Sequence, residues 1–353
     1  MILPSLPILV PLLTLVFLLI GFRKQQWQPW IGLSGGLLQL IVAIIIGIEV
    51  NNHGIMVLHT GNWQAPVGIT LVIDGFSAIM LVLSGIIGVS ISLYSIDAVD
   101  RKRQSYFYFP MVHGLLIGVN GAFITGDIFN LYVWFEVMLT ASFVLITLGG
   151  EKKQLNGAIK YVTLNLVASL FFLAGIGLLY GKMGTLNMAD LALKLSMDEQ
   201  NILLNTSAVL FFVAFSIKAA VFPFFFWLPA SYHTPPIAIT ALFAGLLTKV
   251  GVYSMIRFYT LFFVQDKFFW HPLFLWIGGF TMVVGVLTAA SQFDIRKILS
   301  FHIISQIGYM IMGLGIFTVA GIAGAIFFMA HNIIAKTNTF LVAGLINRVT
   351  GSY

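Results

Sequence analysis

The sequence predicts an all-α polytopic membrane protein of about eleven transmembrane helices. Three observations carry this. Hydrophobic residues make up 59% of the 353 residues and charged residues only 8%, against about 25% charged in soluble domains. The mean hydropathy is +1.00. Apolar runs recur along the whole length, and the positive charges gather in small clusters between them. No stretch outside the runs is long enough to bury a core of its own. The formal charge of +6 therefore sets topology and is not a nucleic-acid signal. With no cysteine, the chain holds no disulfide, thiolate metal site or cysteine-ligated iron–sulfur cluster. No phosphate-cradling loop or nucleophile motif stands out, and no cofactor is predicted.

The predicted segments are 2–22, 30–50, 71–95, 108–125, 127–148, 158–182, 202–228, 235–258, 271–292, 299–318 and 322–346. The first has no basic residue before it and Arg23-Lys24 after it. That argues for a spanning segment with its N-terminus outside, and against a cleaved signal peptide. The connection 51–70 is rich in β-branched residues, holds Gly61 and Pro66, and lacks Lys and Arg, as a small surface hairpin would. The fourth and fifth segments are divided by the tight turn Thr125-Gly126-Asp127. The seventh holds Lys218 followed by Pro223 and Pro229, so a broken helix is expected there. Non-helical backbone at membrane depth is tolerated where protein or a water-filled cavity covers it. Before the eighth, Thr234 is the expected cap and Pro235 the first helical residue. With the N-terminus outside, eleven Lys and Arg fall on inner loops and helix edges: ten clustered at 23–24, 101–103, 152–160 and 296–297, and Arg348. The outer side holds four: Lys182, Lys194, Arg257 and Lys267. This bias supports the orientation through the positive-inside rule.

Four charged residues stand out for lying deep inside apolar segments: Glu136, Lys218, Lys249 and Lys336. Glu136 lies nine residues, roughly 13 Å, from Asp127 along a helix. That is near the midplane of a hydrocarbon core about 30 Å thick. Lys249 lies about 21 Å beyond Pro235 by the same rise. Each has a bland alternative: a protonated acid hydrogen-bonded in the bundle, or a lysine snorkelling to an interface. Together they are a stronger signal, since intramembrane charges mark ion and proton pathways. Pro223 marks the helix break. His331, five residues before Lys336, is the stronger histidine candidate for a proton path, and His302 the weaker. His113 ranks below both. A haem held by His302 and His331 needs matched depths, which their positions do not give. Asp127 reads either as the cap of the fifth helix or as a group at an ion exit.

Four stretches carry a family resemblance: GNWQAPVGITLVIDGFSA (Gly61 to Ala78), GVNGAFITGDIFNLYVWFEVML (from Gly118), Phe222 to Tyr253, and Asp294 to Met310. They resemble the large membrane subunits shared by Mrp-type sodium/proton antiporters and respiratory complex I, the first two being most similar to the D-type subunit of the antiporter. The resemblance implies a pair of inverted five-helix repeats, helices four to eight and nine to thirteen, each with one broken helix. It places the family's buried acid at Glu136, the lysine of its broken seventh helix at Lys218, and further lysines at Lys249 and Lys336. The sequence ends at Tyr353, so the second repeat is expected to be incomplete in this chain. The expected division is an N-terminal three-helix region, 1–107, and an antiporter-like proton-translocating domain, 108–353.

The reading that follows is a plasma-membrane subunit of a multisubunit cation (sodium)/proton antiporter, not an enzyme. Glu136 is the expected counter-ion of Lys218, and Lys249 and Lys336 pass the proton laterally. Partners are other membrane subunits, protons, sodium ions and the lipid bilayer. The alternative is the proton-pumping membrane subunit of an NADH-quinone oxidoreductase of the complex I type.

Overall fold

The structure, a computed structural model, describes residues 2–197 and 202–352. Its helices are α1 (Leu6–Ile20), α2 (Gln28–His53), α3 (Gly75–Ala98), the single turn α4 (Arg101–Gln104), α5 (Tyr108–Ile124), α6 (Ile128–Thr147), α7 (Lys152–Met183), α8 (Met188–Met197), α9 (Ile202–Ala219), α10 (Trp227–Tyr232), α11 (Ile237–Leu242), α12 (Thr248–Leu261), α13 (Lys267–Ala290), α14 (Ile295–Ile316) and α15 (Val319–Thr350). A π-helical turn, Phe243–Leu247, joins α11 to α12. Among the described residues ten helical spans are long and apolar enough to cross a membrane, and the 17-residue α5 accompanies them. All eleven predicted segments are therefore present as helices.

The boundaries move where side chains decide them. The predicted third segment began at 71, but β2 (Thr70–Ile73) pairs antiparallel with β1 (Met56–His59). The hairpin thus takes those residues, and α3 starts after Asp74, whose carboxylate accepts from the Ser77 amide at 2.9 Å. The sixth helix starts earlier than residue 158, because Glu151 and Gln154 form a capping box. The last runs from 319 to 350 rather than 322 to 346, with the Thr318 side chain as its cap. Thr234 does not cap the eighth helix. Its hydroxyl donates to the Ser231 carbonyl, while Pro236 precedes the first helical residue, Ile237. The short helix α8 was not foreseen. Its ten residues are too few for an apolar run to show.

Loops predicted to share a side do meet. Gly126 donates to the Thr70 carbonyl, and Asp127 pairs with Asn187, so the hairpin, the 125–127 turn and the start of α8 form one face. On the opposite face Arg103 bonds Glu151 at 2.6 Å, and Arg296 donates to the Pro235 carbonyl and to Thr240 Oγ1. Close helix approach relies on small residues, as expected in lipid. Between α13 and α14, a Cβ on Gly308 would lie 2.6 Å from the Gly278 carbonyl, closer than real side chains come. The core is centred on α11, the π turn and α12, a span buried along its whole most apolar window.

Candidate functional site: a row of buried charges

The three intramembrane lysines are all withdrawn from the surface. Lys218 is 4% exposed, Lys249 0% and Lys336 6%. A buried ammonium needs partners, and each has a different one.

Lys218 is the penultimate residue of α9, next to the predicted break. The chain leaves helical geometry at Ala220, in the left-handed region at φ 59°, and resumes at Trp227. Freed backbone is re-satisfied by side chains. The Trp227 indole donates to the Ile217 carbonyl at 2.8 Å, and the Phe222 amide donates to Thr281 Oγ1 at 3.1 Å. Lys218 Nζ donates to Ser169 Oγ at 3.3 Å, and Ser169 Oγ donates to Glu136 Oε1 at 2.5 Å. The ammonium also sits 4.7 Å from the Phe135 ring centroid, a cation–π distance. Glu136 and Lys218 are thus brought together as expected, but through a hydroxyl rather than as a direct pair. Ser169 was missed. Its signal was the polar pair Asn165 and Ser169, four residues apart in an apolar helix.

Lys249 follows the π turn. Its Nζ donates to the carbonyl of Ala244, within that turn, at 2.6 Å. Such turns shift the backbone hydrogen-bond register and occur often at functional sites. The end of α9 packs against the same helix: a Cβ on Gly251 would lie 2.8 Å from the Ala219 nitrogen. On the other side Thr337, beside Lys336, reaches the Ala241 carbonyl at 3.4 Å. The helices bearing Lys218, Lys249 and Lys336 are therefore neighbours in that order.

Lys336 Nζ lies 2.8 Å from His302 Nδ1. An ammonium only donates, so Nδ1 accepts and the ring proton belongs on Nε2. Of the two candidate histidines it is thus His302, the weaker expectation, that touches a buried lysine. His302 joins the row, whereas His331 lies on the exposed side of α15. His113 is buried, its Nε2 3.1 Å from the Gly32 carbonyl, away from the lysines. Asp127 caps α6, accepting from the Asn130 amide at 2.8 Å, and burial pushes its carboxyl above the usual range.

A second charged site was also missed. Arg257 on α12 clamps Asp74 with two bonds of 2.5 Å. Burial pushes the Asp74 carboxyl up, and the Arg257 guanidinium outweighs this and holds it below the ordinary carboxylate range. Both residues stood in plain view in the sequence, but nothing in their spacing joins positions 183 residues apart.

A broken helix, three buried lysines on neighbouring helices and an acid bridged to the first of them are features of membrane transporters of protons or cations. Residues 125–352 match the family described as NADH:quinone oxidoreductase/Mrp antiporter, transmembrane. The chain belongs to this family. It is 50% identical over 347 residues to the D subunit of the Na(+)/H(+) antiporter of Alkalihalophilus pseudofirmus and 40% identical to that of Bacillus subtilis. These matches cover 98% of this chain and 70% of each relative. Among solved structures, one chain of the Mrp complex from a Dietzia species superposes with a TM-score of 0.92 at 32% identity, covering 98% of this chain and 65% of that one. A chain of the membrane-bound sulfane sulfur reductase, an archaeal respiratory membrane complex, superposes with a TM-score of 0.94 at 28% identity, covering 99% and 72%.

Proposed function

We propose that the chain is the D-type subunit of a multisubunit sodium/proton antiporter, a secondary transporter component and not an enzyme, and that protons cross it along Glu136, Lys218, Lys249 and Lys336. The observation that carries this is the hydroxyl bridge of Ser169 between Glu136 and Lys218. An acid and a base share one small donor–acceptor group, so a proton or a charge displaced at one end is felt at the other. His302 extends the row beyond Lys336. The driving force is the proton gradient and the membrane potential, worth about 2.3 kcal/mol per charge per 100 mV.

The charge bias of the loops supports an N-terminus outside and a multi-pass place in the plasma membrane. The face bearing the β1–β2 hairpin is then the outer one. Helices α5 to α12, which hold the fourth to eighth spans, form the first five-helix repeat in this reading. The spans from α13 onward begin the inverted one. Residues 1–107 form the N-terminal three-helix region and 108–353 the translocating domain. The partners are the other membrane subunits of the antiporter, protons and sodium ions.

The test is Glu136→Gln in the assembled complex, with exchange measured in everted vesicles. Loss of sodium-dependent proton exchange with assembly intact is the expected result, and exchange at the normal rate would refute the relay. The likeness to the archaeal respiratory complex favours a second setting, in which the same row is driven by a redox arm. Co-purification with flavin or iron–sulfur subunits in place of small membrane subunits would establish it.

A further inference from the structure

A second group of buried polar side chains lies away from the lysine row, where α1, α2, α3 and α5 pack around one another. Its members are Gln39 on α2, Ser84 on α3 and Asn120 on α5, none more than 1% exposed. Both ends of the Gln39 amide, the Ser84 hydroxyl and Asn120 Oδ1 find no hydrogen-bond partner among the described residues. Unpaired polar atoms at such depth are costly.

Helix register brings the three together. α2 and α5 meet where His113 Nε2 donates to the Gly32 carbonyl at 3.1 Å. Seven residues further along each helix, two turns on and on the same faces, come Gln39 and Asn120. α3 runs opposite to both. A Cβ on Gly36 would lie 3.3 Å from the Val89 nitrogen, one on Gly85 2.8 Å from Leu40 Cα, and one on Gly88 3.1 Å from the Leu116 side chain. One turn back from Gly88 on α3 is Ser84, and one turn on from Leu116 along α5 is Asn120. α1 fixes how Asn120 is turned. Pro11 has no N–H to give the Pro7 carbonyl, and Asn120 Nδ2 donates to that carbonyl at 2.9 Å. Its Oδ1, an acceptor only, is directed away from that bond. At the level of Gly32 the pattern repeats in smaller form. His113 Nδ1 and Ser92 Oγ, on the same faces of α5 and α3, are also buried without a partner among the described residues.

We propose that Gln39, Ser84 and Asn120 form a binding site for ordered water, sealed within the bundle, that ties the three N-terminal helices to α5. The ligand class follows from the donor set. Gln39 Nε2 needs an acceptor, while Gln39 Oε1 and Asn120 Oδ1 need donors. A cation would serve the oxygens and leave the Gln39 N–H groups stranded, whereas water both donates and accepts. Buried waters commonly make about three such bonds to groups that have no other partner. On its other face α5 backs α6: Gly118 lies against Met138 and Gly121 against Trp134, two residues either side of Glu136. Water that pins α5 therefore steadies the wall behind that acid. The site itself does not depend on the relay reading.

The assembled complex is imaged by cryo-electron microscopy at a resolution that shows ordered water. Density within hydrogen-bond reach of Gln39, Ser84 and Asn120 together is expected. Direct bonds among the three side chains, with no density between them, overturn the site. The energetic arm is Gln39→Met, of similar length and volume, read as the midpoint for thermal loss of the assembled complex. A bridging water would lose partners and strand Asn120 Oδ1, so the midpoint should fall by several degrees. Removing a dry, unpaired amide is neutral or stabilising, so an equal or higher midpoint refutes the proposal. Ser84→Ala should also lower the midpoint, and the double variant should lose less than the sum of the two. Strict additivity overturns a shared water. The midpoint difference between sodium chloride and choline chloride should be the same in Gln39→Met as in wild type. A difference that vanishes in the variant makes the ligand sodium and overturns water. Should Gln39→Met fail to assemble, the wild-type density and Ser84→Ala decide.

Discussion

Lys218 and Lys249 both stand where a helix is interrupted, and the two interruptions are built differently. At Lys218 the helix ends outright, and about two turns of chain pass before α10 begins. The ammonium there shares a serine with a carboxylate. At Lys249 the helix never ends. It widens for one π turn, and the ammonium takes a carbonyl of that turn. The first lysine has a counter-ion and open backbone beside it. The second has a dipole and full burial. A row of identical residues is thus made of unlike stations, and the difference lies in the backbone as much as in the side chains.

The largest expected effect strikes the station with a counter-ion. Glu136→Gln should lower exchange by about 100-fold or more, the usual worth of a positioned proton-transfer group, and vesicle assays at matched assembly measure it. Next is Lys249→Arg. Arginine keeps the charge but releases no proton, so a relay fails and a structural cation survives. Wild-type exchange in this variant would erase the contrast drawn above. Ser169→Ala should cost about tenfold, the order expected when a hydrogen bond to a charged group is lost. Ser169→Thr, which keeps the hydroxyl, should recover most of it. Equal rates for alanine and wild type would show that Glu136 and Lys218 need no bridge. Smaller again is the histidine contrast: His302→Ala should slow exchange a few-fold, and His331→Ala should leave it within error, a ranking that side-by-side vesicle assays can invert. The smallest effect is on stability. The folded Asp74 carboxyl titrates below its ordinary value, so the clamp stabilises the protein fully above the unfolded value of about 4 and loses that contribution as the pH falls through the lower folded value. Thermal unfolding of Asp74→Asn should lie below wild type at neutral pH, the gap closing only in acid.

The spans were legible because burial in lipid writes itself into composition over twenty residues at a time. The break after Lys218 was legible because proline announces it. The π turn was not, since Phe243–Leu247 reads as ordinary apolar helix and the extra residue in the turn leaves no mark in periodicity. The four charged residues of the row were legible as costly intrusions, but their contacts were not. Ser169 is a commonplace residue in a membrane helix, and Arg257 looked like an edge charge until Asp74 arrived from another part of the chain. The contact of His302 with Lys336 was not among the legible features, because five residues along a helix turn His331 to the exposed side, whereas the neighbouring helix presents His302 directly.

One helix holds two grips. Near its start α14 grasps the Pro235 carbonyl and Thr240 through Arg296, and less than two turns later it meets Lys336 through His302. The first grip lies at the root of the span that leads into the π turn and Lys249; the second lies on the last station of the row. A helix is stiff over such a length, so α14 acts as a connecting rod. In the relay reading proposed above, a slide or roll that parts His302 from Lys336 would also pull on the foot of the Lys249 helix, so that one rigid part would couple the two steps.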